Sequence, residues 1–263
     1  MAATPIPAAT ILLLRDGASG LEVLMIERHQ GTAFAGGALV FPGGKVAKED
    51  HEADWASHVD GEFAVEERAL RIAAVREAFE ETGLLLARKA NERGERAPLV
   101  AEKEVAPLLP LRDAINRGEA SFLKAIADAK LVLALDALVY FAHWITPERL
   151  PKRFDTHFYM AAAPAGQHAL CDGGEAVEAC WITPEHAMAA QAERRRRVMF
   201  PTRMNLELVG RARSVGEALE AAHERRIVTV TPRLEREAEG DFLSIPDEAG
   251  YGASRVRFDP ARD

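Results

Sequence analysis
The stretch Arg76-Glu77-Ala78-Phe79-Glu80-Glu81-Thr82-Gly83-Leu84, preceded by Phe41-Pro42-Gly43-Gly44, decides how the rest of the chain is read. Glu77, Glu80 and Glu81 stand at i, i+3 and i+4, so a helix places all three carboxylates on one face. Like charges that close repel, and a helix gains nothing structural from gathering them. A hard divalent cation such as Mg²⁺ removes the penalty, because it takes oxygen ligands and shares them with substrate phosphates. Gly83 suits the left-handed position that closes a helix. Ile72, Val75 and Phe79 recur at helical spacing on the other side and are expected in the core. The spacing predicts a helix over 65–82, with Glu66 and Glu67 near its positive end.

Working outward, 9–14 is a short apolar run of strand formers. A turn signal at 15–20 and a second strand over 21–27 complete a hairpin. A loop with three glycines follows at 31–37, then a strand at 38–41. Pro42-Gly43-Gly44 permits a sharp turn and close backbone approach, as a loop presenting amides to phosphate requires. A short helix is expected over 50–58 and a break at Asp60-Gly61. Downstream, the pattern predicts a strand at 84–87, a charged loop at 88–104 and two helices within 105–130, split near Arg117-Gly118. That helical stretch shows no chemistry of its own. Further strands are expected at 138–144, 156–160 and 176–182, and helices at 184–190 and 215–225. Ser214 and Glu217 form a capping-box pattern at the last of these. Segments 227–231 and 241–245 read as a terminal strand pair. The basic run Arg194 to Arg197 reads as a solvated helix face, with a phosphate clamp as the alternative.

The chain has 263 residues, 48% of them hydrophobic, enough for one large domain with insertions or two small ones. A net charge of −8, from 41 acidic and 33 basic residues, argues against nucleic acid as a partner. Cys171 and Cys180 have no metal-ligand spacing and make no disulfide framework, which implies a reducing, cytoplasmic setting. Ile11 to Leu14 is too short for a signal or membrane core, so no membrane association is expected. The eight histidines show no i, i+4 zinc pair, and His157 beside Asp155 reads as strand geometry.

These residues resemble the Nudix hydrolases, whose signature is Gly, five residues, Glu, seven residues, Arg-Glu, an apolar residue, any residue, Glu-Glu, any residue, Gly and an apolar residue. Arg76 to Leu84 matches the second half in full. After Gly43-Gly44 the chain departs from the pattern. Asp50 stands where Glu is usual, and Arg68 stands eight before Arg76, with Glu66 and Glu67 upstream of it. The departure is read as an insertion over about 45–65, with the acid replacing the first Glu left open. The resemblance implies an α/β (α+β) fold, an α/β/α sandwich with a mixed sheet. The chain would be one Nudix domain over 1–263, with further helical insertion at 88–135 and a C-terminal extension at 191–263.

Within the family the chain looks like the coenzyme A and acyl-CoA diphosphatases. The carrying pieces are Arg71 to Glu81, Trp144-Ile145-Thr146-Pro147, Arg153-Phe154-Asp155-Thr156, Phe200-Pro201-Thr202-Arg203 and Ser244-Ile245-Pro246. A CoA-type loop motif is matched by Arg28 and Gly37, while Thr32 stands where that motif has a second Arg. The resemblance implies Mg²⁺ or Mn²⁺ held by Glu77, Glu80 and Glu81, with Arg76 orienting the carboxylates. The general base would be Glu80 or an acid of the later loop, Glu175 or Glu178. Arg28, Gly43 and Gly44 would contact a small nucleoside diphosphate substrate, with CoA favoured. ADP-ribose, NADH or another such compound is the alternative, and a non-catalytic Nudix-fold binding protein the third reading. A homodimer is an allowed assembly.

Overall fold
A computed structural model describes residues 3–29, 37–170 and 176–259. Strands β1 (Ile6–Gly17) and β2 (Gly20–Arg28) form the expected hairpin but run longer than the apolar pattern suggests. They pair only near their turn, Leu14 to Gly17 against Gly20 to Val23, and then part. Into the opening come β3 (Ala38–Val40), which docks on β2, and β4 (Gly43–Lys45), which docks antiparallel on Ala8 to Thr10 of β1. Gly43-Gly44 is therefore strand and not the expected turn. The glycines answer to lateral crowding: a Cβ on Gly43 would lie 2.6 Å from the Ala9 carbonyl oxygen.

After β4 the chain passes through 3₁₀ turns at Glu49–His51 and Ala53–Ser57 into α1 (Val65–Thr82), the helix the spacing predicts. Next come β5 (Ala87–Lys89), α2 (Glu102–Val105), α3 (Arg112–Asn116), α4 (Phe122–Asp128) and β6 (Leu131–Leu133). Strands β7 (Val139–Ile145), β8 (Phe154–Ala162) and β9 (Ala176–Ile182) return to the main sheet. The remainder is α5 (Pro184–Ala192), β10 (Arg197–Val198), α6 (Phe200–Val209), α7 (Val215–Glu224), β11 (Thr229–Val230), β12 (Arg233–Glu237), β13 (Gly240–Ser244) and β14 (Arg255–Arg257).

Among the described residues the main sheet has nine strands in the order β10-β3-β2-β1-β8-β7-β11, with β4 on β1 and β9 on β2. Parallel pairing of β1 with β8 and antiparallel pairing of β7 with β8 make it mixed. The central strand is buried on both faces, and side chains alternate across it. Ile11 and Leu13 face α1, where Ile72, Val75, Ala78 and Phe79 are fully buried as expected. Leu12 and Leu14 face the opposite layer of Ala187, Met204, Leu206, Ala218 and Ala222 from α5, α6 and α7. Each large apolar side chain removed from water in these layers contributes about 1.5–3 kcal/mol. The result is the α/β/α sandwich.

Several local expectations yield to tertiary packing. Residues 84–86 are not strand: the Leu85 amide donates to Gln167 Oε1 at 2.9 Å and its carbonyl accepts from Gln167 Nε2 at 3.0 Å, so its backbone is satisfied without a ladder. Segment 105–130 holds short pieces rather than two full helices, because Pro107 and Pro110 interrupt it. Its break at Gly118, with φ +69°, is where expected. The two terminal strands do not pair with each other. β11 joins β7 in parallel, and β13 lies between β12 and β14 in a separate small sheet. β12 is too polar to show an alternating pattern. Ser214 caps α7 as read, accepting from the Glu217 amide at 3.2 Å.

Candidate active site on the acidic helix
Gly83 ends α1 with φ +73°, donating its amide to the Phe79 carbonyl at 2.9 Å. One turn back stand the three glutamates, Glu77 and Glu80 sharing the Arg76 guanidinium and Glu81 turned to the Gly43 amide, in a largely buried setting. Glu80 and Glu81 are 4% and 2% exposed, while Glu77 is partly open to solvent. Arg76, itself buried, is the hub. Its guanidinium donates to Glu77 Oε1 at 2.9 Å, to Glu80 Oε1 at 3.0 Å and to both Asp50 oxygens at 3.1 Å. A further bond reaches the Lys45 carbonyl at 2.8 Å, which ties the hub to the end of β4.

Asp50 thus fills the place left open in the sequence. It is fully buried and also accepts the Ala47 amide at 2.7 Å. Five residues separate it from Gly44, the spacing that the signature has before its first Glu. Neither Glu66 nor Glu67 takes this role: Glu67 pairs with Arg71 on the far turn of α1. The inserted residues are knitted into the core by Trp55, fully buried against the Phe122 ring at 5.7 Å.

Charge density has a measurable consequence here. Burial, opposed by Arg76 and reinforced by Glu77 and Asp50, pushes the Glu80 carboxyl up to about 7. The same carboxylates hold Arg76 firmly charged against its own burial. Glu81 Oε2 accepts the Gly43 amide at 2.9 Å, so that amide serves the protein and not a phosphate. Arg112, in the segment that showed no chemistry, is buried and donates twice to the Glu80 carbonyl (3.1 and 2.8 Å), a cation at the negative end of α1. Only an isolated Arg in α3 marked it in the sequence.

The two glycines predict opposite phenotypes. A Cβ on Gly44 would run into the Glu77 carboxylate, a flexible group that can swing aside. A Cβ on Gly43 would press on Ala9 and Thr10 backbone at 2.6 and 2.7 Å, which cannot. Gly44→Ala is therefore expected to lower activity with little change in melting temperature. Gly43→Ala is expected to cost about 1–3 kcal/mol of stability, read by thermal melts of both variants.

Other residues singled out in the sequence lie elsewhere. Glu178 is on β9, where alternation puts it with Cys180 on the α5 side of the sheet. There it receives a bond from Arg196 at 2.7 Å, and Arg196 also pairs with Glu27. The structure does not bring Glu178 to the carboxylates of α1. It instead lines a cleft of about 420 Å³ with Leu39, Cys180, His186 and Arg195. The basic run is not a helix face: Arg194 turns the chain with φ +60°, Arg195 pairs with Glu193, and Arg197 enters β10. Arg28 ends β2, its carbonyl accepting the Gly37 amide at 3.0 Å. Glu175, Cys171, Thr32 and most of the glycine loop lie outside the described residues. No described helix is long and apolar enough to cross a membrane.

One solved structure shares this arrangement of helix and sheet. A crystal structure of a NUDIX hydrolase from Alicyclobacillus acidocaldarius is 25% identical, with a TM-score of 0.66 over 83% of this chain and 96% of that one. The acyl-coenzyme A diphosphatase NUDT19 of Xenopus laevis is 26% identical over 66% of this chain and 56% of its own length. The human protein of that name is 28% identical over 65% and 55%. The chain spans about half the length of the curated relatives it matches. Residues 57–206 match the NUDT19 Nudix domain, more than half of the 263. With α1 inside that match, the chain belongs to the Nudix hydrolases, in the family of the NUDT19 Nudix domain.

Proposed function
We propose that this protein is a metal-dependent diphosphatase that cleaves CoA or acyl-CoA to (acyl-)phosphopantetheine and adenosine 3′,5′-bisphosphate. The observation that carries the reading is the charge imbalance at α1: Asp50, Glu77 and Glu80 share one guanidinium, with Glu81 alongside. So many carboxylates in a buried site fit a divalent cation with oxygen ligands. Glu77, Glu80 and Glu81 would hold it, as Mg²⁺ or Mn²⁺. When bound, such an ion supplies the positive charge that a diphosphate needs and acidifies a water molecule.

The chain's own groups do the positioning. Arg76 fixes Glu77 and Glu80 in direction, and the Gly43 amide fixes Glu81. We assign Glu80, held in direction by Arg76, to take the proton from the attacking water. Glu175 is the alternative base. Water oxygen ends on one phosphorus and the bridging oxygen leaves with the other. Gly44 lets the substrate approach the helix, and Arg28 stands as the basic group for the adenosine phosphate. The substrate class rests on the NUDT19 likeness and on the CoA-type segments. We place the protein in the cytoplasm.

Chelation tests the reading. EDTA is expected to abolish CoA turnover and Mn²⁺ or Mg²⁺ to restore it; full turnover in EDTA would refute the metal assignment. The proton on Glu80 competes with the ion, so Mn²⁺ affinity should fall up to tenfold per pH unit below about 7 and level off above it. Calorimetry in buffers of different ionisation heat checks the released proton. A flat affinity between pH 6 and 8 would contradict the assignment of Glu80.

A further inference from the structure
Strands β7 and β8 carry a second cluster that the acidic helix does not use. His143 and His157 stand directly opposite each other in the antiparallel register, and Asp155 precedes His157 by two residues. All three side chains therefore leave the sheet on one face. It is the α1 face, shared with Tyr140 and Tyr159. His143 Nε2 lies 2.5 Å from Asp155 Oδ1, and His157 Nε2 lies 3.7 Å from the same oxygen. The ligating atoms all fall within 4.8 Å of one another. Thr229 of β11 pairs with His143 across the other edge of β7, its Oγ1 2.7 Å from His143 Nδ1. The Tyr140 ring stacks on His157 at 5.4 Å. The three side chains are 15%, 35% and 23% exposed, sheltered but reachable.

We propose that His143, Asp155 and His157 bind one divalent transition-metal ion of the zinc class, separate from the hard-ion site on α1. Four observations support it. Two imidazoles with one carboxylate select Zn²⁺-like ions over Mg²⁺. A tetrahedral centre with bonds of about 2.0–2.1 Å sets its ligand atoms roughly 3.3 Å apart, between the two separations seen here. The Thr229 hydroxyl can accept the His143 Nδ1 proton, which leaves Nε2 as the free lone pair, the usual support of a metal-bound histidine. All three ligands sit on paired strands, which hold them more firmly than loops would. A fourth position stays open to solvent.

The two sites are neighbours on one face. His157 pairs with Ala9, and Ala9 with Gly44, the glycine against Glu77. Two strand spacings, about 10 Å, separate these backbones. One ion cannot serve both clusters.

The test uses the full chain with Glu80→Gln and Glu81→Gln in place, to silence the acidic helix, and Zn²⁺ titrated calorimetrically in excess Mg²⁺. One Zn²⁺ per chain is expected, with affinity lowered at least about 100-fold by His143→Ala or by His157→Ala. Asp155→Asn and the milder His157→Gln guard against a variant that fails to fold, and melting curves verify each. Co²⁺ in the same protein should give the strong visible absorption of a four-coordinate ion, lost in His157→Gln. No Zn²⁺ binding, affinity unchanged in the histidine variants, or only the weak band of six-coordinate Co²⁺ would overturn the proposal and leave a plain His143–Asp155 ion pair.

Discussion

Glu80→Gln and Glu81→Gln are each expected to lower turnover by about 10²–10³-fold or more while the protein stays folded. Either change removes a charged oxygen that the site needs and leaves a side chain of the same size. For Glu80 the stability effect has a definite sign. Its carboxyl sits at about 7 in the fold against an ordinary 4.5. Between those values the native protein holds a proton the unfolded chain has lost, so stability falls as pH rises through that window. Without metal, Glu80→Gln should therefore melt higher than the parent at pH 8, an advantage that shrinks toward pH 4.5. Glu81→Gln keeps an oxygen for the Gly43 amide and should melt close to the parent. Turnover near that of the parent in either variant would remove the residue from the metal site.

Arg76→Ala is expected to be the most damaging single substitution for stability. It strips the cation from buried Asp50 and Glu80 and from Glu77, and frees the Lys45 carbonyl as well. Breaking a buried pair in this way costs about 3–5 kcal/mol. For a chain of this size that is a fall in melting temperature of roughly 10 °C or more. Activity should be lost with it, because the glutamates lose their orientation. Arg76→Lys keeps the charge but cannot fork between Asp50 and the glutamates, so it should recover only part of either property. Equal melting temperature and rate in Arg76→Ala would exclude it as the hub.

What was legible in the sequence was whatever a short period could carry. Helix α1 showed itself through Ile72, Val75 and Phe79 on one side, the glutamates on the other and Gly83 at the end, and its bounds are those predicted. The short apolar run at 9–14 likewise announced a strand. The features missed depend on partners far along the chain. Asp50 reaches Arg76 across 26 residues; its spacing from Gly44 marked it, but the late Arg76-Glu77 pair left Glu66 and Glu67 open beside it. Gly43 and Gly44 read as a turn because glycine pairs usually are one. Their reason is the nearness of β1 and Glu77, which appears only when the sheet is assembled. Leu84 to Leu86 had strand composition, yet Leu85 bonds to the Gln167 amide, the Leu84 amide to the Thr82 hydroxyl, and the Leu86 carbonyl to the Ala134 amide. Arg112 and His143 lay in segments with no motif. Each gained its place from a neighbour contributed by another element, Glu80 in one case and Asp155 in the other.

The central claim is the bond cut and the compound that carries it. The most direct measurement is turnover of free CoA, a short and a long acyl-CoA, ADP-ribose and NADH by the full chain with Mn²⁺, products identified by mass. Adenosine 3′,5′-bisphosphate and the matching phosphopantetheine, released from the CoA compounds in preference to the rest, is the predicted result. Preferential release of AMP from ADP-ribose or NADH would contradict the CoA assignment. Silence across the whole panel, in folded protein that binds Mn²⁺, would contradict the diphosphatase reading on these compounds altogether.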